Sequence, residues 1–253
     1  MALTDNLIAY YKFDETSGTN VDDATGGTDA TADAGATVNS TGKLSYCRDF
    51  SSGKVSMPVL ASLGNCTINL WVNPDNVGGG GTTRTMYEYR QAATSHRLNI
   101  SFNDVSGGYV FVILERGGSA YKTIRSNGTV STGSWQMITV TKTGETIQIF
   151  INGVSQTITT LNDVGDTSGA LSSTATPTIG NSADGGSSPF DGKIDEFGMW
   201  SRVLTSDEVT QLYNSGNGLA YPLSIGWAKK IFGVTPAKVN NIAKSSISRI
   251  NGV

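Results

Sequence analysis

Charge is scarce in this chain: of 253 residues only 15% are Asp, Glu, Lys or Arg. There is one histidine, His96, and there are two cysteines, Cys47 and Cys66. Each shortage excludes something. Two Cys and one His cannot supply the four ligands of a structural zinc site. A nucleophilic triad needs a His, and the only one lies in Ser95-His96-Arg97 beside a strand start, where a lone surface His is the simpler reading. No Gly-x-Ser-x-Gly elbow occurs, and the glycine run 78–81 has no Lys-Ser/Thr behind it, so no phosphate loop is present. No run of about 18 apolar residues exists to span a membrane as a helix. The N-terminus lacks a charged segment followed by an apolar stretch, so no secretory signal is visible. For Cys47 and Cys66 two readings stand, one disulfide or two buried free thiols.

What is abundant is turn and strand chemistry. Glycine numbers 31, and Thr and Ser recur throughout, which suits short strands rather than helical bundles. Strand patterns fall at 7–13, 44–50, 55–57, 67–72, 85–89, 97–102, 109–114, 121–124, 135–141, 146–151, 154–160, 178–179 and 193–200. Thr143-Gly144 marks one hairpin turn, and Asn152-Gly153 marks a second of type I′. Residues 14–42, rich in Asp, Gly and Thr, read as a long loop of the kind that is functional or held by something. One helix is expected at about 206–214. Thr205 and Glu208 form its capping box, Val209, Leu212 and Tyr213 its apolar stripe, and Gly216 its C′ residue. About a dozen short strands and one helix predict an all-β, two-sheet antiparallel sandwich.

The charge is unevenly placed. Residues 1–223 hold 13 basic residues against 21 acidic ones, a net −8, whereas 224–253 hold five basic residues and no acid. An acidic body argues against nucleic-acid binding there. The expected division is a sandwich at 1–222 and a basic amphipathic tail at 223–253. Trp227, Ile231, Val234, Val239, Ile242, Ile247 and Ile250 are interleaved in that tail with Lys, Asn and Ser. A segment of this size cannot bury its own apolar stripe, so it docks on a partner or folds back on the body.

Three segments resemble bacterial and viral laminin-G-like (concanavalin A-like lectin/glucanase) domains: Leu-Ile-Ala-Tyr-Tyr-Lys-Phe-Asp-Glu-Thr-Ser-Gly at 7–18, the Trp135 to Val154 stretch, and Phe-Asp-Gly-Lys-Ile-Asp-Glu-Phe-Gly-Met-Trp-Ser-Arg-Val-Leu-Thr-Ser-Asp-Glu-Val at 190–209. The resemblance implies a jelly roll over residues 7 to about 221. It also implies a structural calcium held by the loop after the first strand and by the Ile-Asp-Glu turn. Those segments offer Asp22, Asp23, Asp195 and Glu196 here, and hard calcium takes such oxygens. The alternative is that Asp23 caps a turn and Asp195 pairs with backbone or Arg202. Glucan-cleaving relatives need two carboxylates flanking the sugar bond, and no Glu-x-Asp-x-x-Glu cluster occurs, so no catalysis is expected.

A sugar-binding face would draw on Tyr87, Tyr89, Arg90, Tyr109 and Tyr121 in the central strands, with core packing of these rings as the alternative. The tail, with Lys-Ile-Phe-Gly-Val echoed by Arg-Ile-Asn-Gly-Val, resembles short C-terminal tails of some phage structural proteins. The expectation is a non-catalytic virion-associated protein. Its tail would dock on capsid or tail proteins and its sandwich would face host-surface glycans. A homo-oligomer is compatible with such a role. A carbohydrate-binding module of a bacterial surface protein is the second reading, and a glycoside hydrolase or lyase the third.

Overall fold

The computed structural model describes residues 1–78, 82–91, 95–103, 107–171, 174–183 and 188–224. In chain order the strands are β1 (Leu7–Tyr11), β2 (Asn20–Val21), β3 (Ala30–Ala32), β4 (Ala36–Asn39), β5 (Cys47–Phe50), β6 (Val55–Ser56), β7 (Cys66–Asn76), β8 (Thr83–Gln91) and β9 (His96–Asn103). They continue with β10 (Tyr109–Arg116), β11 (Ala120–Thr129), β12 (Gln136–Thr143), β13 (Thr146–Ile151), β14 (Val154–Ser155), β15 (Ile158–Val164), β16 (Thr178–Ile179) and β17 (Asp191–Trp200). Helix α1 (Ser206–Tyr213) follows.

Two antiparallel sheets result. One has eight strands in the order β14-β13-β12-β7-β17-β5-β4, with β1 pairing on the second half of β17. The other has nine in the order β15-β11-β10-β9-β8-β16-β6-β3-β2. The strands alternate inward apolar residues with outward ones, as the two-residue period of a strand requires. Leu98, Ile100 and Phe102 of β9 meet Ile68, Leu70 and Val72 of β7 in one buried core. The expected two-sheet sandwich is therefore the fold. At Gly180 a Cβ would lie 2.1 Å from the Phe50 ring, and φ is +87°, so only glycine serves there.

A second apolar cluster lies outside the eight-stranded sheet. Helix α1 is capped by the expected box: the Thr205 hydroxyl accepts from the Glu208 N–H, and Glu208 reaches back to the Thr205 N–H. It lays Val209 and Leu212 on Trp71, Met137, Phe150 and Trp200. Leu223, assigned to the tail from sequence, is buried in this cluster.

Several expectations are corrected. The long loop 14–42 contains β2, β3 and β4, held by pairing rather than by local preference: β2 on β3, β3 also on β6, and β4 on β5. The single strand expected at 154–160 is two, and the chain passes between them from one sheet to the other. The left-handed residue closing α1 is Asn214 (φ 49°), and Gly216 falls instead at the end of a 3-10 turn, Asn214–Gly216. Asn152 (φ 53°) and Gly153 (φ 77°) do form the type I′ turn. Cys47 and Cys66 are free, buried thiols, and burial pushes both up to about 12. Among the described residues no helix is long and apolar enough to cross a membrane.

Candidate functional site

The outer face of the nine-stranded sheet is mostly polar, whereas that of its partner carries the apolar cluster of Trp71, Met137, Phe150 and Trp200 beside the buried Asn69, Thr139 and Asp195. Alternation aims Arg97, Asn99, Ser101 and Asn103 of β9 outward. Register then builds rows across neighbouring strands. Thr178, Glu88, Asn99, Ile113, Thr123 and Asn162 form one row. Arg90, Arg97, Glu115, Tyr121 and Val164 form the row on one side of it, and Thr85, Ser101, Phe111, Arg125 and Thr159 the row on the other.

The face has a covered half and an open half. Over β8 and β9 the segment leading into β17 folds back. The Ser182 hydroxyl and the Ala183 N–H donate to Glu88 at 2.7 and 2.8 Å, and the Thr85 N–H donates to Ser188 O. Glu88 is fully buried and also accepts from Arg97 Nε at 2.7 Å and Asn99 Nδ2 at 3.3 Å. A buried carboxylate persists only when paired and hydrogen-bonded in this way. Arg97, with 20% of its side chain exposed, stands at the boundary and reaches Glu115 at 4.0 Å on the open side. On the same boundary Asn99 Oδ1 and Ser101 Oγ are buried and have no hydrogen-bond partner. The open half carries Ile113, Glu115, Thr123, Arg125 and the exposed ring of Tyr121.

The five residues expected at a sugar face are not brought together. Tyr87 and Tyr89 do share a face, but it is the inner one. Both are fully buried, the Tyr87 ring stacked on Phe197 and the Tyr89 hydroxyl donating to Leu171 O. Neither ring can meet a ligand. Arg90 lies at the β8 end of its row, half-buried. Tyr109 is outward, but the Arg125 guanidinium sits 4.1 Å from its ring centroid and occupies one face of it. Tyr121 pairs with Glu115, six residues along β10 from Tyr109, hence about 20 Å from it. Arg97, Glu115, Thr123 and Arg125 were missed: alternation along β11 puts Thr123 and Arg125 on the face of Tyr121, and the register adds Glu115 and Arg97 to it.

The four acidic residues expected at a calcium do not converge. Asp23 Oδ1 accepts from the Tyr10 N–H, the Thr25 N–H and the Thr25 hydroxyl, so it caps a turn. Asp22 is exposed and takes the Asn20 amide. Asp195 accepts from the backbone of Lys43, Leu44 and Glu196. Glu196 takes the Tyr10 hydroxyl. Tyr10 thus stands between the two acidic pairs, its N–H on one and its hydroxyl on the other. Burial raises Asp195 to about 7 and Glu196 to about 8, against the three backbone donors and the tyrosine that pull them down. Arg202 pairs not with Asp195 but with Glu208, through two contacts of 2.8 Å. Among the described residues no three Asp, Glu, His or Cys groups gather as metal ligands. As arranged, these carboxylates do not fit one calcium ion. Trp227, Ile231, Val234, Val239, Ile242, Ile247 and Ile250 lie outside the described residues.

Residues 49–210 match the Laminin_G_3 family, the concanavalin A-like lectin/glucanases superfamily. The chain belongs to this family. Among curated proteins none matches it in sequence. Among solved structures, domain 4 of AbnA, an extracellular GH43 arabinanase of Geobacillus stearothermophilus in complex with arabinotriose, superposes with a TM-score of 0.62 at 20% identity. That match covers 81% of this chain and 97% of the other. The binding domain of Paraclostridial Mosquitocidal Protein 1 gives 0.57 at 18% identity over 85% of this chain and 53% of that one. The ligand binding domain of botulinum neurotoxin serotype D, in complex with N-acetylneuraminic acid, gives 0.59 at 16% over 84% and 51%. The chain spans about half the length of these two toxin domains. Likeness at such identities establishes the lectin-like sandwich fold, and the family's function must be argued from the site.

Proposed function

We propose that this laminin-G-like sandwich is a non-catalytic recognition module that binds a glycan on the open half of the nine-stranded sheet's outer face. One observation carries the reading: Arg97, Glu115, Thr123, Arg125 and the exposed Tyr121 ring stand in register on a rigid sheet, beside the unpartnered Asn99 and Ser101 oxygens. Sugars offer rows of hydroxyls and an apolar C–H face. Fixed charged and hydroxyl groups match the first, and an amphipathic ring matches the second. The arabinotriose and N-acetylneuraminic acid complexes of similar folds lend support of the same kind. The absence of catalysis rests on Glu88 and Glu115. A glycosidase needs two carboxyl groups that both reach one bond. Glu88 is enclosed by four donors, which leaves Glu115 alone on the open half among the described outward residues.

The test is titration calorimetry with a panel that includes arabinotriose and N-acetylneuraminic acid. At least one glycan binds, and Arg125→Ala and Tyr121→Ala each weaken it at least tenfold with the melting temperature held. If no glycan in the panel binds, the reading fails. Turnover of any panel member would restore the hydrolase or lyase reading.

The proposal extends to the residues after Leu223, which itself packs on the sandwich, as an attachment segment that seats the module on a virion or similar particle. The basic, acid-free composition and the apolar residues Trp227 to Ile250 support this. Size fractionation with mass spectrometry tests it. Travel with capsid or tail proteins is expected, and a small free species would leave the bacterial surface-module reading. Structural calcium is a separate proposal: a melting temperature that rises several degrees on adding calcium to chelator-treated protein, and does not rise in Asp22→Asn/Asp23→Asn, is expected if the loop after β1 binds it, and no rise overturns it.

A further inference from the structure

A cavity of about 210 Å³ opens between the sheets beside β1, away from the polar face. Ala9 and Tyr11 of β1, Met199 of β17, and Met57 and Val59 from the segment after β6 line it. Those side chains are largely hydrocarbon, and Val59 at the mouth is 64% exposed. Three polar residues, Tyr11, Asp23 and Thr28, interrupt the apolar wall. Tyr11 is fully buried between Phe13 and Phe197, and its hydroxyl has no hydrogen-bond partner. Asp23 faces it across an antiparallel bridge, which puts both side chains on the same side of the backbone. While Asp23 Oδ1 is saturated by three donors, Oδ2 accepts nothing from the described residues.

A buried hydroxyl without a partner is unfavourable. Here it shares a cavity with a carboxylate oxygen that takes no donor from the described residues, and a ligand that donates to both removes the hydroxyl's deficit and adds a charge-assisted bond to Asp23. A donor with no negative charge of its own is required, because a second anion would meet Asp23 unscreened. The cavity exceeds the 150 Å³ or so that admits a benzene-sized guest, so a body of a few carbons fits. We propose that this cavity binds a small apolar amine, its hydrocarbon body against Met57, Met199 and Val59 and its ammonium donating to Asp23 Oδ2 and Tyr11 Oη.

The methionines give the readout. With 13C-methyl methionine, n-butylamine is expected to shift the Met57 and Met199 signals saturably and to leave Met86 and Met137 in place. At equal concentration n-butanol shifts them less and butyrate not at all. Tyr11→Phe weakens n-butylamine at least fivefold, and Ala9→Leu, which fills the cavity, abolishes the shifts. If Ala9→Leu fails to fold, the comparison of n-butylamine with butyrate on the natural chain decides. Equal response to the amine and the alcohol would overturn the role of Asp23. Unchanged affinity in Tyr11→Phe, or Met137 moving together with Met57, would overturn the site.

Discussion

The two outer faces of this sandwich have been finished in opposite ways. Over the eight-stranded sheet, Trp71, Met137, Phe150 and Trp200 are sealed by α1, and even the indole N–H of Trp200 is taken up by Leu3 O at 2.6 Å. Trp71 stacks on Tyr213 with 5.7 Å between centroids, and Lys43 lies 4.4 Å from its ring centroid. Over the nine-stranded sheet the corresponding positions hold Glu88, Arg97, Asn99 and Ser101, and two polar oxygens stay unpartnered. A sheet needs only its inner face to make the core, so an outer face can be committed to stability or to contact. The first face is built for stability. Both faces keep buried polar groups, Asn69, Asn73, Thr139 and Asp195 on the first and Glu88, Asn99 and Ser101 on the second, so what separates them is the apolar cluster that α1 covers on the first and the open half left on the second.

The largest effect should come from breaking the sealed face. Trp200→Ala removes a fully buried ring and is expected to cost about 3–5 kcal/mol. A drop of about 10 °C in the melting temperature follows from the usual entropy of a chain this long. A drop under 3 °C would mean that α1 is an ornament rather than a seal. Next comes the ion pair on the polar face. Arg97→Ala leaves Glu88 buried with only its neutral donors and should cost about 2–3 kcal/mol. Adding Glu88→Gln to that variant should recover part of the loss, because the unpaired charge is gone. If the double variant is less stable than the single, the Glu88 charge is held by Ser182 and Ala183 and not by Arg97.

How legible these faces were follows from how local each signal is. The capping box at Thr205 and the Asn152-Gly153 turn lie within a few residues, and both stand where sequence puts them. Alternation told that Tyr87 and Tyr89 share a face but not which one. That depends on β16 and β9 flanking β8 and on the other sheet closing over it. The row through Glu88, Asn99 and Ile113 joins residues from three strands, and only the pairing register aligns them. Strands β2, β3 and β4 escaped notice because Asn-Val, Ala-Thr-Ala and Ala-Thr-Val-Asn carry little β preference, and their partners make them strands. The cavity at Tyr11 needs β1, the Asp23 turn and the segment after β6 to meet, which no local pattern encodes.

The pH dependence of stability should be dominated by the sealed side of the molecule. Asp195 and Glu196 lie at its edge, buried, and raised to about 7 and about 8. A carboxyl group raised above its unfolded value near 4 binds its proton more tightly when folded. The stability it contributes is therefore complete below about pH 4 and is lost as pH rises through 7 to 8. Thermal unfolding at pH 5 and pH 9 should differ by at least about 1 kcal/mol in favour of pH 5. Glu196→Gln should shrink that difference, because the amide still accepts from the Tyr10 hydroxyl and no longer titrates. A difference unchanged in this variant would assign the loss to other groups.

The smallest effect tests whether the seal depends on its helix as a helix. Thr205→Ala deletes the hydroxyl that accepts the Glu208 N–H and leaves the apolar contacts of Val209 and Leu212 in place. Loss of such a cap costs about 1 kcal/mol. Glu208 is still held by Arg202 through its two 2.8 Å contacts, which keeps the first turn anchored. The expected result is thus a uniform fall of a few degrees in melting temperature with glycan binding on the opposite face untouched. If the cap variant also weakened that binding, the two faces would be coupled through the core. The division of labour between them would then be a property of the intact sandwich rather than of each sheet.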